Sequence, residues 1–240
     1  MSALVGLLSV QRHDNVLDQL RYRHENLAER SAIAEIDEEL AKLDKASAKT
    51  EAQRDVLRTK QRGIETDAGD IEAKAAALEA KLYDGSVTSP KEATALGDEI
   101  SGLKARQGDF ETQAIELLLE IEPLDEQLVA AEAARGELEA KRVEQQASLD
   151  ANAAELDTEI EQNETDRAAA AAEVGDDDTL ELYRKMRITY GPDAVIEFDP
   201  AHNGGCPVAM SAVELDRWKH LPTGTLEPCT DCGRLVAKLS

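Results

Sequence analysis

Residues 83–92 read YDGSVTSPKE, and the fold turns on them. Asp84-Gly85 is a turn dipeptide. Ser89-Pro90 joins an N-cap residue to a proline at the first helical position. One helix therefore ends here and another begins. Both flanks carry long seven-residue repeats, so a short turn between them predicts two arms folded back antiparallel as a hairpin.

The first arm, residues 1–82, reads as one helix. One seam is Ile36, Leu43, Thr50, Leu57, Ile64, Ile71 and Leu78. Its companion is Leu40, Ser47, Arg54, Gln61, Ala68, Ala75 and Leu82, weak in the middle. Upstream, Leu17, Leu20, His24 and Leu27 keep the 3-4 spacing in another register. That phase shift, near residue 31, predicts a stutter or local unwinding.

The second arm has the cleaner repeat: Leu96, Leu103, Phe110, Leu117, Leu124, Ala131 and Leu138. Its partner seam is Ile100, Gln107, Ala114, Ile121, Leu128, Arg135, Arg142, Leu149 and Leu156. A strict seven-residue period implies a left-handed supercoil. Arms of roughly 80 residues would each be about 120 Å long. Gly63, Gly69, Gly97, Gly102, Gly108 and Gly136 each cost about 1 kcal/mol against alanine. Pro123 removes a helical hydrogen bond and predicts a bend.

Composition agrees with a rod. Aromatic residues are 3% and charged residues 32% of the 240, too few large rigid side chains for a thick core. The net charge of −23 is uneven. Residues 1–62 carry 11 basic and 11 acidic side chains, residues 63–179 carry 9 and 31, and residues 180–240 carry 7 and 8. The middle of the chain is thus −22, which repels phosphate backbones and anionic membranes. No segment reaches the roughly 18 apolar residues of a membrane span. MSALVGLLSV is apolar but lacks a basic flank or an A-x-A site, so it does not read as a signal peptide.

The run GDDD ends the second arm. Asp178 or Thr179 can cap a short helix at 180–187. From Gly191 the chain changes character, with Gly-Pro, Asp-Pro and Asn-Gly-Gly turns and the β-favouring runs AVIEF and RLVAKL. The domain reading is 1–179 as antiparallel helical hairpin, tip about 83–92, and 180–240 as a short helix plus a degenerate, β-rich zinc ribbon. The second part is too small for a sufficient core without a staple such as a metal.

All three cysteines lie in this tail, which fits a reducing cytoplasm and metal ligation rather than disulfides. Cys229-Thr-Asp-Cys232-Gly233 is a zinc half-site, two thiolates three apart on a tight turn. The stretch 202–211, HNGGCPVAMS, supplies Cys206 on a second glycine turn. The fourth ligand for Zn²⁺ is open: His202 first, then His220, then the Asn203 carbonyl or a water. No catalytic Ser/His/Asp, phosphate-loop or H-E-x-x-H pattern is visible, and the expectation is a protein without enzymatic activity.

The order of these parts carries a family resemblance. It comprises the tip Y-D-G-S-V-T-S-P-K-E, a following helix with Glu99-Ile100 and Leu103-Lys104, then L-Y-R-K-M-R, G-G-C-x-x-x-M-S-x-x-E-L and C-x-x-C-G-R-L-V. The chain resembles the bacterial coiled-coil proteins with a C-terminal C4-type zinc ribbon. In that family the first knuckle is C-G-G-C. Asn203 takes the first cysteine position, while Cys206, Cys229 and Cys232 match the other three. The resemblance implies a cytoplasmic, rod-like adaptor or chaperone for larger assemblies, such as flagellar and secretion systems, acting through protein partners. The tip residues Tyr83, Asp84, Gly85, Pro90, Lys91 and Glu92 are the expected contact site. The competing reading is a nucleic-acid-binding zinc ribbon, with Arg184, Lys185, Arg187, Arg217, Trp218, Lys219, Arg234 and Lys238 in the tail. A hairpin based on a ribbon also resembles, in architecture only, transcription factors that enter the RNA polymerase secondary channel with acidic tips. Asp84 and Glu92 would serve, but the arms look too long. Monomer and swapped dimer are both open.

Overall fold

A computed structural model of the chain describes residues 3–239, apart from the side chain of Asn203. Five helices are α1 (Ala3–Glu25), α2 (Ala28–Tyr83), α3 (Pro90–Val174), α4 (Asp177–Tyr190) and α5 (Ala212–His220). Three short strands, β1 (Val195–Glu197), β2 (Leu226–Pro228) and β3 (Leu235–Ala237), lie among the last two helices and the end of the chain. The fold is mainly α, a long helical hairpin with a small strand-containing tail. Two compact units divide it. Residues up to Ser31 join those from Gln146 onward, and Ala32–Gln145 form the other.

In the Ala32–Gln145 unit, α2 and α3 run antiparallel and bury the two seams of each. Every seam position from Ile36 to Leu82, and from Leu96 to Arg142, is at least half-buried except Arg135. Ala75, Leu96, Ile100, Ala114 and Ile121 are the most buried. Arg54 explains how a charged residue serves a seam. Its stem packs inward while its guanidinium reaches Glu51, Asp55 and Asp125. Exposed ion pairs Arg142–Asp37, Arg58–Asp125 and Lys104–Glu79 link the two helices in antiparallel register. They specify alignment more than they stabilise. Helix α3 continues through Pro123 without a break. The glycines within these helices face open space.

In the other unit, α1 packs antiparallel on the end of α3, and α4 and the sheet complete the layer. Leu4, Leu7, Val10, Ala170, Val174, Leu180, Tyr183, Leu235 and Ala237 share one core. The Tyr183 hydroxyl donates to Asp14 at 2.8 Å, and Arg167 pairs with the same carboxylate. Strand order is β1-β3-β2, with β3 parallel to β1 and antiparallel to β2. The central strand feeds two cores by simple alternation. Leu235 and Ala237 face the first core, and Val236 faces a second with Phe198, Met210, Trp218 and Cys229. The outer edge of β1 is occupied by the Gln11 amide, which accepts from Val195 N at 2.6 Å and donates to Val195 O at 2.7 Å.

Several local expectations move. The first arm is two helices, and the break falls at Asn26-Leu27 rather than near residue 31. There the Asn26 side chain donates to the Tyr22 carbonyl at 2.8 Å, beside the Asn26 backbone N–H at 3.1 Å, a back-bond that bends helices. Helix α4 is longer than 180–187. Asp176, not Asp178 or Thr179, is its N-cap and accepts from Thr179 N at 3.1 Å. It stops at Gly191, whose φ is 63°. The boundary at residue 179 marks a change of composition but not of packing, because α1 and the end of α3 share the core of the tail.

Candidate metal centre

Helix α5 is not among the elements expected from the sequence, and it positions the site. Its signal was the capping pattern Ser211-Ala-Val-Glu214. The Ser211 hydroxyl accepts from Glu214 N at 3.3 Å. Glu214 is buried and takes the indole N–H of Trp218 at 2.9 Å. Trp218 stacks with Phe198 at 5.7 Å between centroids. At the other end of α5 the buried Lys238 ammonium donates to the carbonyls of Trp218, Lys219 and Leu221. Phe198, Met210, Trp218 and Val236 form an apolar cluster against which the cysteines pack.

Two turns bring the thiols onto it. Asn203–Gly205 forms a 3₁₀ turn leading into Cys206. Gly205 has φ 78°, and a Cβ there would collide with the Glu197 carbonyl. The second turn, Cys229 to Cys232, is closed by Gly233 N donating to Cys229 O at 2.8 Å and Cys229 N donating to Arg234 O at 2.7 Å. Gly233, with φ 76°, leaves room for the Tyr190 hydroxyl. Asp231 accepts from Ser211 N at 2.8 Å, tying this turn to the start of α5.

The three thiols converge. Their sulfurs all lie within 4.8 Å of one another, Cys206 Sγ being 3.6 Å from Cys229 Sγ and 2.9 Å from Cys232 Sγ. Cys229 is buried and the other two are part-buried. Burial and the two adjacent thiols push Cys206 above the ordinary thiol range. Burial also works against ionising Cys232. The Cys206 hydrogen bond, followed by the backbone N–H of Arg234, outweighs it and holds Cys232 below that range. Three such sulfurs can hold a metal ion.

The remaining candidates stand elsewhere. His202 Nδ1 is 2.7 Å from Asp199 Oδ2, and its side chain is 83% exposed. It is not in the three-thiol group. His220 Nδ1 faces the Asp216 carbonyl at 2.8 Å and is exposed. The Asn203 side chain lies outside the described residues. The tip residues are gathered at the α2–α3 connection. Tyr83 is 83% exposed there, the Asp84 carboxylate accepts from Ser86 N at 2.8 Å, Gly85 has φ 83°, and Pro90 opens α3 beside Lys91 and Glu92.

Comparison with known proteins places this architecture. The CT398-like coiled coil hairpin domain matches residues 10–191. The chain belongs to that family. The match stops short of Cys206 and describes the hairpin, not the thiol cluster. An uncharacterized protein of Mycobacterium tuberculosis is 26% identical over 235 residues, covering 98% of this chain and 94% of that protein. A structure from Mycobacterium smegmatis superposes with a TM-score of 0.84 at 22% identity, over 100% of both chains. CT398 of Chlamydia trachomatis gives 0.65 at 17% identity, over 98% of this chain and 97% of its own. These likenesses extend the fold through bacterial relatives. No helix among the described residues is long and apolar enough to cross a membrane.

Proposed function

We propose that this CT398-like protein is a non-enzymatic adaptor that docks protein partners through its hairpin tip and its cysteine-bearing tail. The observation that carries the reading is Tyr83, a large aromatic side chain 83% exposed on the tip. It supports no core, and a turn fixed by Asp84 and Pro90 presents it. Exposed aromatics on rigid supports are characteristic contact residues. Loss of distinct partner sets on altering the tip and on removing the tail is the expected result of affinity capture. Unchanged sets for both would overturn the reading.

The nucleic-acid alternative loses support from the tail's own pairing. Arg217 is held by Glu214 and Glu227, Arg187 by Asp18, Lys185 by Glu181 and Lys238 by three backbone carbonyls. Trp218 is fully buried. Gel shifts with single- and double-stranded RNA and DNA at low salt test it, and binding with a steep salt slope would favour that alternative.

For the metal we infer Zn²⁺. Thiolate sets select soft or borderline ions, and tetrahedral Zn–S bonds of about 2.3 Å imply sulfurs about 3.8 Å apart. The Cys206–Cys229 separation of 3.6 Å suits this, and the Cys206–Cys232 pair, at 2.9 Å, would have to open by about 0.9 Å. A water or the Asn203 carbonyl would take the fourth position, since His202 lies outside the three-thiol group and its side chain is 83% exposed. Elemental analysis should find about one zinc per chain, lost in Cys229→Ser. Less than about 0.1 zinc in a folded tail would refute the assignment.

A further inference from the structure

Five large apolar side chains left in solvent belong to one region of the hairpin unit. Ile115, Leu118, Leu119 and Val129 on α3, with Val56 on α2, are 48–72% exposed. Leu119 lines two adjoining grooves. One runs along α3 past Leu118, Val129 and Ala133, and the other passes Val56, Leu57 and Pro123. The spacing is not random. Ile115, Leu119, Glu122, Glu126, Val129 and Ala133 step by 4, 3, 4, 3 and 4 residues, a third heptad seam on α3 beyond the two that α2 covers. Pro123 has no N–H, so the Leu119 carbonyl at the centre of this face loses its helical donor.

The charge around the face is of one sign. From Gln107 to Ala134 α3 carries eight acidic residues and no basic one. Among the described residues, Glu116, Glu120, Glu122 and Glu126 form no ion pair. A second copy of the chain would set this acidic stretch against another, and like charges across a helical seam are destabilising. Nucleic acid is repelled for the same reason.

We propose that this face docks an amphipathic helix of a partner protein, apolar along one side and flanked by lysine or arginine. Its Leu, Ile or Val residues would fill the third seam, and its cations would meet the unpaired carboxylates. The proposal rests on the adaptor reading and adds a partner class and a surface to it.

The test uses the full chain and a labelled, designed helical peptide of about 21 residues, with Leu and Ile at heptad positions and Lys flanking them. Fluorescence anisotropy at about 0.15 M salt compares it with a peptide carrying Glu for each Lys. The Lys peptide should bind and the Glu peptide should not. L119S/V129S, which keeps every carboxylate, should weaken binding by about tenfold or more. E122Q/E126Q should weaken it and flatten its salt dependence. All four positions lie on an exposed face, and circular dichroism checks that both variants keep their helicity. Absence of binding, equal binding to L119S/V129S, or a dimer of the unaltered chain abolished by those substitutions would overturn the proposal. Failure here with partner sets still lost from tip and tail variants would remove this surface alone and leave the adaptor reading standing.

Discussion

Lys238 and Tyr183 show what single residues do in the tail. Lys238 is a buried cation with no carboxylate partner among the described residues, satisfied by three carbonyls at the C-terminus of α5. Lys238→Met keeps the stem and orphans those carbonyls. It should cost about 1.5–3 kcal/mol, read by urea unfolding. Tyr183 is fully buried, and burial followed by its bond to Asp14 raises its pKa well above the ordinary phenol value. The folded state then keeps a proton that the unfolded state releases. This contribution is complete below about pH 10 and is lost as pH rises beyond it. The stability difference between the unaltered protein and Tyr183→Phe should therefore shrink between about pH 8 and about pH 11. A constant difference would contradict the assignment. Neither residue could be singled out from the sequence, because their burial comes from segments 17 to 169 residues away. The thiols could be read, because C-x-x-C on a glycine turn is a local pattern. The place of His202 could not, since its separation from the thiol group depends on how the 203–205 turn folds.

At the scale of elements, periodicity carried the reading. The seams from Ile36 to Leu82 and from Leu96 to Arg142 lie on the buried faces because a seven-residue repeat is a local property of one helix. Arg135 is the exception, since a guanidinium can turn to solvent. The same reading used two seams of α3 and passed over the third, because Glu122 and Glu126 interrupt it. Strands β1 and β3 were visible as AVIEF and RLVAKL. Strand β2 was not, as three residues ending in Pro228 carry no pattern. Helix α5 has a legible Ser-x-x-Glu cap but is too short to show a repeat. The glycines Gly63, Gly102 and Gly136 face open space within helices. The triple alanine variant should gain about 2–3 kcal/mol if the sites add. A loss in chemical unfolding would show that these glycines serve some contact.

For the whole molecule, the decisive point is that α1 belongs with the tail. Its Leu7 and Val10 are fully buried in the core that holds Leu235 and Ala237. Ending the chain at residue 179 should make amides of 3–25 exchange rapidly, while 32–145 stay protected in hydrogen exchange. Unchanged protection of 3–25 would contradict this division. Composition could not reveal the arrangement, because chain order says nothing of which distant segments meet. Affinity capture from native cells with quantitative mass spectrometry decides whether the protein acts as an adaptor. Three forms are compared: the full chain, the tip variant Y83S/K91E/E92K, and a chain ending at Tyr190. The two altered forms should lose different subsets of partners. The same partners in the same amounts for all three would contradict the adaptor reading.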